Sequence, residues 1–289
     1  MAILVDENTR VLVQGITGRV GSFQTKIMLE YGTKVVAGVT PGKGGMEVHG
    51  VPVYDFIEEA LHDHKVDAVI SFVPARFAKD AAIEAVDNGI SFVVLTAEGI
   101  PDHDVVAILN YATMKGATIL GPDTPGLVSP GKCKLGVHPN RVLKEGYVGV
   151  VSKSGALSYE VCRVLVEHGI GQSTVVGIGG GPLWGLSQKD ILEMFQEDPE
   201  TKVVVLLGEV GGTMEQEAAT FIARSMDKPV IALIVGRAAP EGARMGHAGA
   251  IIEGEEGTAR SKIMALERAG ATVVRSPSQI PQVIRMIGV

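Results

Sequence analysis

The chain has 289 residues, 46% of them hydrophobic, enough for about two globular domains that each bury a core. A formal charge of −7 and the lack of any basic run argue against a nucleic-acid or anionic-membrane partner. Apolar runs such as 203–207 and 230–235 fall well short of the roughly 20 residues that span a bilayer. The start has no basic region followed by an apolar one, and Cys133 and Cys162 form no metal spacing. The composition therefore reads as a cytoplasmic protein with reduced thiols and no signal peptide.

In chain order, a buried strand is predicted over 10–14. It runs into Gly15-Ile16-Thr17-Gly18-Arg19-Val20-Gly21, after which Phe23, Ile27 and Tyr31 recur at helical spacing and Gly32 supplies a stop. A strand, a glycine turn and a helix start make an anion site, because unpaired backbone N–H groups and the helix dipole point at one spot. An NAD reading of such glycines asks for an acidic residue about 20 positions on, to hold a ribose hydroxyl. Here the second strand, 34–38, leads into Val39-Thr40-Pro41-Gly42-Lys43-Gly44-Gly45, with no carboxylate before Glu47. Lys43 suits a phosphorylated ribose, which coenzyme A and NADP carry and NAD does not; a solvated loop lysine is the plainer alternative.

Further strands are expected at 68–72, 92–95 and 118–120, with helices at 76–88 and 102–114, a pattern that predicts a parallel sheet covered on both faces. The strands end in Val73-Pro74-Ala75, Thr96-Ala97-Glu98-Gly99 and Gly121-Pro122-Asp123-Thr124-Pro125-Gly126. Ligands of such sheets bind at the carboxyl ends of the strands, so these loops should line one pocket with the first glycine turn.

Residues 127–147 show little periodicity and read as a connection. A second alternating series follows, with strands at 148–151, 173–177, 203–207, 230–234 and 272–274. Its helices are expected after Ser154, near 189–195, after Thr213, after Thr258 and at the C-terminus. Two turns could hold a phosphoryl group. Ser152-Lys153-Ser154-Gly155 opens a helix with Leu157, Val161, Val164 and Leu165 on one face, and supplies hydroxyl, ammonium and N–H donors. Gly208-Glu209-Val210-Gly211-Gly212 follows a wholly apolar strand, where an uncompensated carboxylate would be costly. Glu209 either caps a neighbouring helix or accepts a hydrogen bond from His247, which lies in Arg244-Met245-Gly246-His247-Ala248-Gly249-Ala250-Ile251. Small neighbours leave that imidazole uncrowded, and imidazole forms covalent intermediates at neutral pH. His247 is thus the candidate phosphoryl carrier, against the alternative of a loop histidine packed among small residues. The other histidines, 49, 62, 64, 103, 138 and 168, lack metal spacing and read as surface or structural, so no metal site is expected on this chain.

Taken in this order, these motifs make the chain resemble the alpha subunits of succinyl-CoA synthetase (succinate-CoA ligase) over essentially its full length. The resemblance implies an α/β chain with an N-terminal Rossmann-like CoA-binding domain (1–125), a connection (126–146) and a C-terminal flavodoxin-like ligase domain (147–289). It implies that His247 is phosphorylated in turnover and contacts Glu209. It further implies that Thr17, Gly18, Arg19, Val20, Lys43, Pro74, Thr96, Ala97 and Glu98 hold coenzyme A. Ser152, Ser154 and Gly155 would serve the phosphate and Tyr159 the acid. A separate ATP-grasp beta subunit would bind ATP or GTP with Mg2+, in an alpha-beta or alpha2-beta2 assembly. The implied reaction converts succinate, coenzyme A and a nucleoside triphosphate reversibly into succinyl-CoA, the diphosphate and phosphate through an acyl phosphate.

The chain departs from the family pattern at several points: Asp123-Thr124 stands where Asn-Cys or Asn-Thr is common, and Gly181-Pro182, leading to the lone Trp184, stands where Asp-Pro is usual. Lys153 replaces an arginine and Arg76 a proline. The identity of the acid therefore stays open to malate-CoA ligase or ADP-forming acyl-CoA synthetase readings. A CoA-binding regulatory protein without catalysis and an NAD(P) dehydrogenase are the alternatives from other classes.

Overall fold

A computed structural model describes residues 3–240 and 242–289. The first two residues of the start read above for a leader lie outside them.

The first half contains strands β1 (Arg10–Gln14), β2 (Lys34–Val39), β3 (Glu47–Val48), β4 (Val51–Tyr54), β5 (Ala68–Ser71), β6 (Phe92–Leu95) and β7 (Thr118–Leu120). Helices α1 (Arg19–Tyr31), α2 (Ile57–Asp63), α3 (Ala75–Asp87) and α4 (Asp102–Lys115) alternate with them. Among the described residues these strands form one sheet in the order β3-β4-β2-β1-β5-β6-β7, parallel apart from the two-residue β3. Without β3, the parallel strands run third, second, first, fourth, fifth, sixth. That is the doubly wound dinucleotide-type order, and its direction reverses between β1 and β5.

The second half contains β8 (Gly126–Ser129), β9 (Cys133–Gly136), β10 (Glu145–Ser152), β11 (Gln172–Gly177), β12 (Val203–Gly208), β13 (Val230–Ile234) and β14 (Thr272–Val274). Its helices are α5 (Gly155–Glu167), α6 (Gln188–Glu197), α7 (Met214–Ser225), α8 (Ala259–Arg268) and α9 (Ile280–Ile287). The sheet order is β14-β13-β12-β10-β11-β8-β9. Its five parallel strands have the flavodoxin-like order, which reverses between β10 and β12. Both sheets are α/β layers, as expected from alternating strands and helices.

The strands form because their residues are apolar on both faces. Every residue of β12 is buried, and each fully buried valine or leucine contributes roughly 1.5–3 kcal/mol. Helix α5 starts at Ser154, whose Oγ accepts the Leu157 N–H at 3.3 Å, and it buries Val161, Cys162, Val164 and Leu165. Helix α6 starts with a capping box between Ser187 and Asp190.

The segment 126–146 differs from the connection expected there. It holds β8 and β9, an antiparallel pair added to the edge of β11. Leu127, Val128, Cys133 and Leu135 are buried, but each strand has only four residues and Pro130-Gly131 divides them, so no period shows. Short β3, β4 and α2 show no period either; β4 turns Val51 and Val53 inward and α2 turns Ile57 and Ala60, while β3 buries neither of its residues.

This edge pair also ties the halves together. Thr33 Oγ1 donates to the Lys134 carbonyl at 2.8 Å and accepts the Lys134 N–H at 3.0 Å. Asn140 Nδ2 donates to the Ile27 carbonyl at 3.3 Å, Ser129 Oγ donates to the Val5 carbonyl at 3.2 Å, and apolar residues of both halves form one continuous core cluster.

His138, beyond β9, is fully buried and stands edge-on to Tyr159 with ring centroids 5.1 Å apart. Burial, reinforced by nearby Lys134, pushes its imidazole down to about 3. The unfolded chain binds a proton near pH 6.5 that the folded chain refuses, so stability is complete above that pH and drains as pH falls towards 3. Replacing His138→Met should remove one proton from the slope of unfolding free energy against pH in that window. Urea titrations at closely spaced pH values check this; an unchanged slope would mean that His138 is not the group that charges.

Candidate functional site

The reversal between β10 and β12 opens a crevice at the carboxyl ends of the second sheet, and the turns on either side carry Lys153 and Glu209. Lys153 is anchored by its N–H donating to the Leu207 carbonyl at 3.2 Å. Its Nζ lies 3.5 Å from Glu209 Oε1, and the two residues are 3% and 6% exposed. His247 approaches Glu209 from across the crevice. Its Nδ1 is 2.8 Å from Oε2 and 3.0 Å from Oε1. A carboxylate only accepts, so Nδ1 carries the proton and Nε2 keeps its lone pair. The hydrogen bond to Glu209 raises the His247 pKa above the ordinary imidazole value, against an opposing effect of burial. Lys153 and the imidazole N–H together compensate a carboxylate that would otherwise be stranded away from water. Of the two readings of Glu209, the geometry has the histidine contact; the N-cap of the nearby α7 is Thr213.

The histidine sits in a tight hairpin. Arg244 bridges Ile251, the Met245 N–H donates to the Ala250 carbonyl at 2.9 Å, and the Ala250 N–H donates back to the His247 carbonyl at 3.2 Å. The ring lies directly on Gly180: a Cβ there would fall 2.3 Å from His247 Cγ. The Gly249 N–H donates to the Gly180 carbonyl at 3.0 Å, and a Cβ on Gly211 would fall 2.2 Å from the Gly249 carbonyl oxygen. The hairpin therefore rests on backbone that only glycine allows to come so close. The imidazole is not buried in aliphatic packing; its side chain is 31% exposed. A cavity of about 290 Å³ beside it is lined by Lys153, Trp184, Thr213, Gly249 and Glu256 among others.

In the serine-lysine turn, the Ser152 hydroxyl donates to the Ser154 carbonyl at 2.7 Å and accepts the Ser154 N–H at 3.1 Å. Ser154 caps α5, so both hydroxyls shape the turn that starts the helix at Gly155. Tyr159 is half-buried one turn further on, and burial pushes its phenol up to about 12.

At the first sheet, Thr17 is half-buried and Gly18, Arg19 and Val20 are exposed at the start of α1, which has no side-chain cap and no acidic residue in its first turn. A Cβ at Gly21 would collide with the Gly15 carbonyl oxygen at 2.1 Å, so the turn is a cradle closed to other residues. The Thr17 N–H donates to Thr40 Oγ1 at 3.4 Å, which ties this turn to the Lys43 loop. Asp55, which sequence reasoning missed, accepts the N–H groups of Lys43 and Gly44, each at 2.8 Å. The nearest carboxylate to that loop is thus occupied with backbone and shapes the lysine turn. A cavity of about 500 Å³ runs along Gly44, Met46, Tyr54 and Asp55. Pro74 precedes α3, and Thr96 Oγ1 donates to the Ser71 carbonyl at 2.7 Å. Uncapped N–H groups, a glycine cradle and a lysine suit a phosphorylated adenosine.

The two ends are joined. Asp123 has φ 58°, and its N–H donates to the Ala97 carbonyl at 3.1 Å. Thr124 Oγ1 donates to the Gly177 carbonyl at 2.6 Å, and Gly179 lies on Pro122, where a Cβ would be 2.2 Å from the carbonyl oxygen. Burial, with Glu98 nearby, holds the Asp123 carboxyl above its ordinary range while His247 opposes this. The 96–98 loop, Asp123, Gly180, His247, Glu209 and Lys153 thus follow one another without a gap. The sequence places Asp123 in a strand-end loop expected to line a pocket and shows it as a departure from the family pattern, and it does not single out Gly180; nothing local marks either as a neighbour of His247.

A glycine cradle suited to phosphate, leading by way of one loop to a partly exposed imidazole, fits the class of coenzyme A ligase chains. The family models divide the sequence the same way, with CoA binding domain matching residues 6–99 and CoA-ligase matching 151–272. Among similar proteins, the alpha 1 subunit of ADP-forming succinate–CoA ligase from Archaeoglobus fulgidus is 56% identical over 287 residues, covering 99% of this chain and 98% of that one. The alpha subunit of the same enzyme from Aquifex aeolicus is 51% identical, covering 99% and 95%. A solved ATP citrate lyase from Methanothrix soehngenii, in complex with citrate and coenzyme A, superposes with a TM-score of 0.90 at 26% identity, over 99% of this chain and 50% of that one. This chain belongs to the succinate–CoA ligase alpha-subunit family.

Gly180 has no positive φ, and the three atoms nearest to a Cβ there all belong to the His247 ring. Gly180→Ala should push the imidazole off Glu209 and slow any chemistry at Nε2 by about 10²-fold, the scale of a 1 Å misplacement, with little change in fold. Single-turnover rates and circular dichroism of the variant check this.

Proposed function

We propose that this chain is the alpha subunit of a succinate–CoA ligase and that His247 carries the phosphoryl group between nucleotide and acid. The observation that carries the reading is the Nδ1 contact to a buried Glu209, which leaves Nε2 as nucleophile beside the Lys153 turn. In the first step the bond from the γ-phosphorus to the nucleoside diphosphate breaks and a phosphorus–nitrogen bond to Nε2 forms. Glu209 holds the Nδ1 proton and stabilises the cationic ring. Lys153 and the N–H groups opening α5 stabilise the phosphoryl charge; a helix start contributes up to about 2 kcal/mol, and positioning supplies much of the rest. The phosphoryl group then passes to a carboxylate oxygen of the acid, held by Tyr159, and gives an acyl phosphate. Bound coenzyme A supplies the thiol that takes the acyl group and releases phosphate. Thr17 to Val20, Lys43, Pro74 and 96–98 are the residues proposed to hold it.

The nucleotide, ATP or GTP, with its Mg2+ is assigned to an ATP-grasp beta subunit, and the working unit to an alpha-beta or alpha2-beta2 assembly. A cytoplasmic location fits two free, buried cysteines, Cys133 and Cys162. Among the described residues no helix is long and apolar enough to cross a membrane. Asp123 and Trp184 stand where the family pattern differs, so malate and, from the citrate lyase likeness, citrate belong beside succinate in any test of the acid.

The decisive experiment incubates the alpha-beta complex with γ-labelled ATP. Wild type should gain an acid-labile, base-stable label that succinate and coenzyme A discharge, and His247→Ala should gain none. Binding of coenzyme A without any label would instead mean a regulatory protein. Protonated imidazole cannot attack, and Glu209 raises the His247 pKa, so labelling should fall as pH drops through that raised value. Glu209→Gln should slow labelling by ~10²-fold at pH 7 and move this acid limb to lower pH. A limb that stays in place would show that another group governs it.

A further inference from the structure

Beneath the Glu209 turn lies a second pair of charges. Glu215, in the first turn of α7, and Lys262, in α8, are both fully buried and ion-paired. Each also holds backbone of the turn. Glu215 Oε1 accepts the Glu209 N–H at 3.1 Å, and Lys262 Nζ donates to the Gly211 carbonyl at 2.6 Å. The two backbone groups flank Val210, on the turn that presents the Glu209 carboxylate to His247. Gly208 lies so close that a Cβ there would fall 2.6 Å from Glu215 Cγ, which fixes the pair against the end of β12. A buried ion pair on its own is a poor device for stability, since apolar side chains of the same volume often serve as well. This one directs further hydrogen bonds at the turn that carries the residue orienting the candidate nucleophile: Glu215 holds Glu209 itself, and Lys262 holds Gly211 two residues on.

We infer that Glu215 and Lys262 are positioning residues for phosphoryl transfer. They lock residues 208–211 so that Glu209 meets Nδ1 of His247 and Nε2 faces the incoming phosphorus. The inference rests on the phosphohistidine reading above. Neither residue touches a reacting atom; both act through Glu209. The charged groups that face His247 are Glu209 and Lys153 from the turns after β12 and β10, Asp123 from the loop after β7, and Arg244 of its own hairpin. Those facing Lys262 are Glu215, Lys153 and Glu209.

Two double variants, neither of which leaves a lone buried charge, test the inference in the alpha-beta complex. Glu215→Gln with Lys262→Gln keeps an acceptor for the Glu209 N–H and a donor for the Gly211 carbonyl. Glu215→Leu with Lys262→Met keeps the volume and removes both bonds. The readouts are the rate of His247 labelling by γ-labelled ATP, its acid limb, and thermal melting. The glutamine pair should label within about threefold of wild type, with the limb unmoved. The apolar pair should label roughly 10²-fold more slowly per folded molecule, with the limb moved to lower pH as Glu209 slackens. Should the apolar pair unfold, Glu215→Leu with Lys262→Gln, which keeps a donor for the Gly211 carbonyl and loses the bond to Glu209 along with the ion pair, takes its place with the same expectation. Equal rates in all variants, or losses that merely follow the folded fraction, overturn the inference while leaving the phosphohistidine intact. An unlabelled wild type overturns both.

Discussion

The contact between the Glu209 carboxylate and Nδ1 of His247 is the constraint on which the rest of this molecule turns. A carboxylate this far from water is expensive unless cations and donors surround it. The fold meets that need by placing the strand that ends in Glu209 beside the strand that ends in Lys153. That adjacency is a property of strand order, since β10 and β12 are neighbours only because the connection through β11 runs to the other side. The chemistry thus follows from topology, and the helix starts and glycine turns collect at the same edge for the same reason.

The second requirement is that groups from two sheets meet over a short distance. Side chains would keep them apart. The path from the 96–98 loop to the imidazole therefore runs over Gly179 and Gly180, and the hairpin of His247 rests on Gly180 and Gly211 through main-chain contacts. Backbone is the part of a protein least free to change length, so a distance set by main-chain contact is a well-determined distance. This matters for the proposed transfer to Nε2, in which a labile phosphorus–nitrogen bond would form in a defined direction.

Much of this was legible in the sequence, and the pattern of what was not is instructive. Runs such as 203–207 and 230–234 announce strands because burial on both faces leaves no polar residue to confuse the reading. The four-residue β8 and β9 and the seven-residue α2 carry too few apolar positions for any period to emerge. At the site, His247, Glu209 and the serine-lysine turn stand out because each lies in a compositionally odd loop at the end of a strand. Asp55, Gly180, Glu215 and Lys262 do not, and Asp123, though it lies in the loop read after 118–120, carries no local mark of its nearness to His247. Glu215 and Lys262 are 47 residues apart and meet only after α7 and α8 have packed, so their partnership exists in three dimensions alone. From sequence each looks like an ordinary charge on an amphipathic helix.

The cross-link between Thr33 and Lys134, with the shared core behind it, has a consequence for how an acyl phosphate survives. Such a compound hydrolyses if bulk solvent reaches it, and many two-domain enzymes guard against this by folding one lobe down over the other. Here the two halves are joined at β9 by hydrogen bonds and a shared core, an arrangement that resists such a movement. Under the proposed function, protection against hydrolytic leakage then falls to a partner laid across the open edge from outside, and the amount of leakage would measure how well that cover fits.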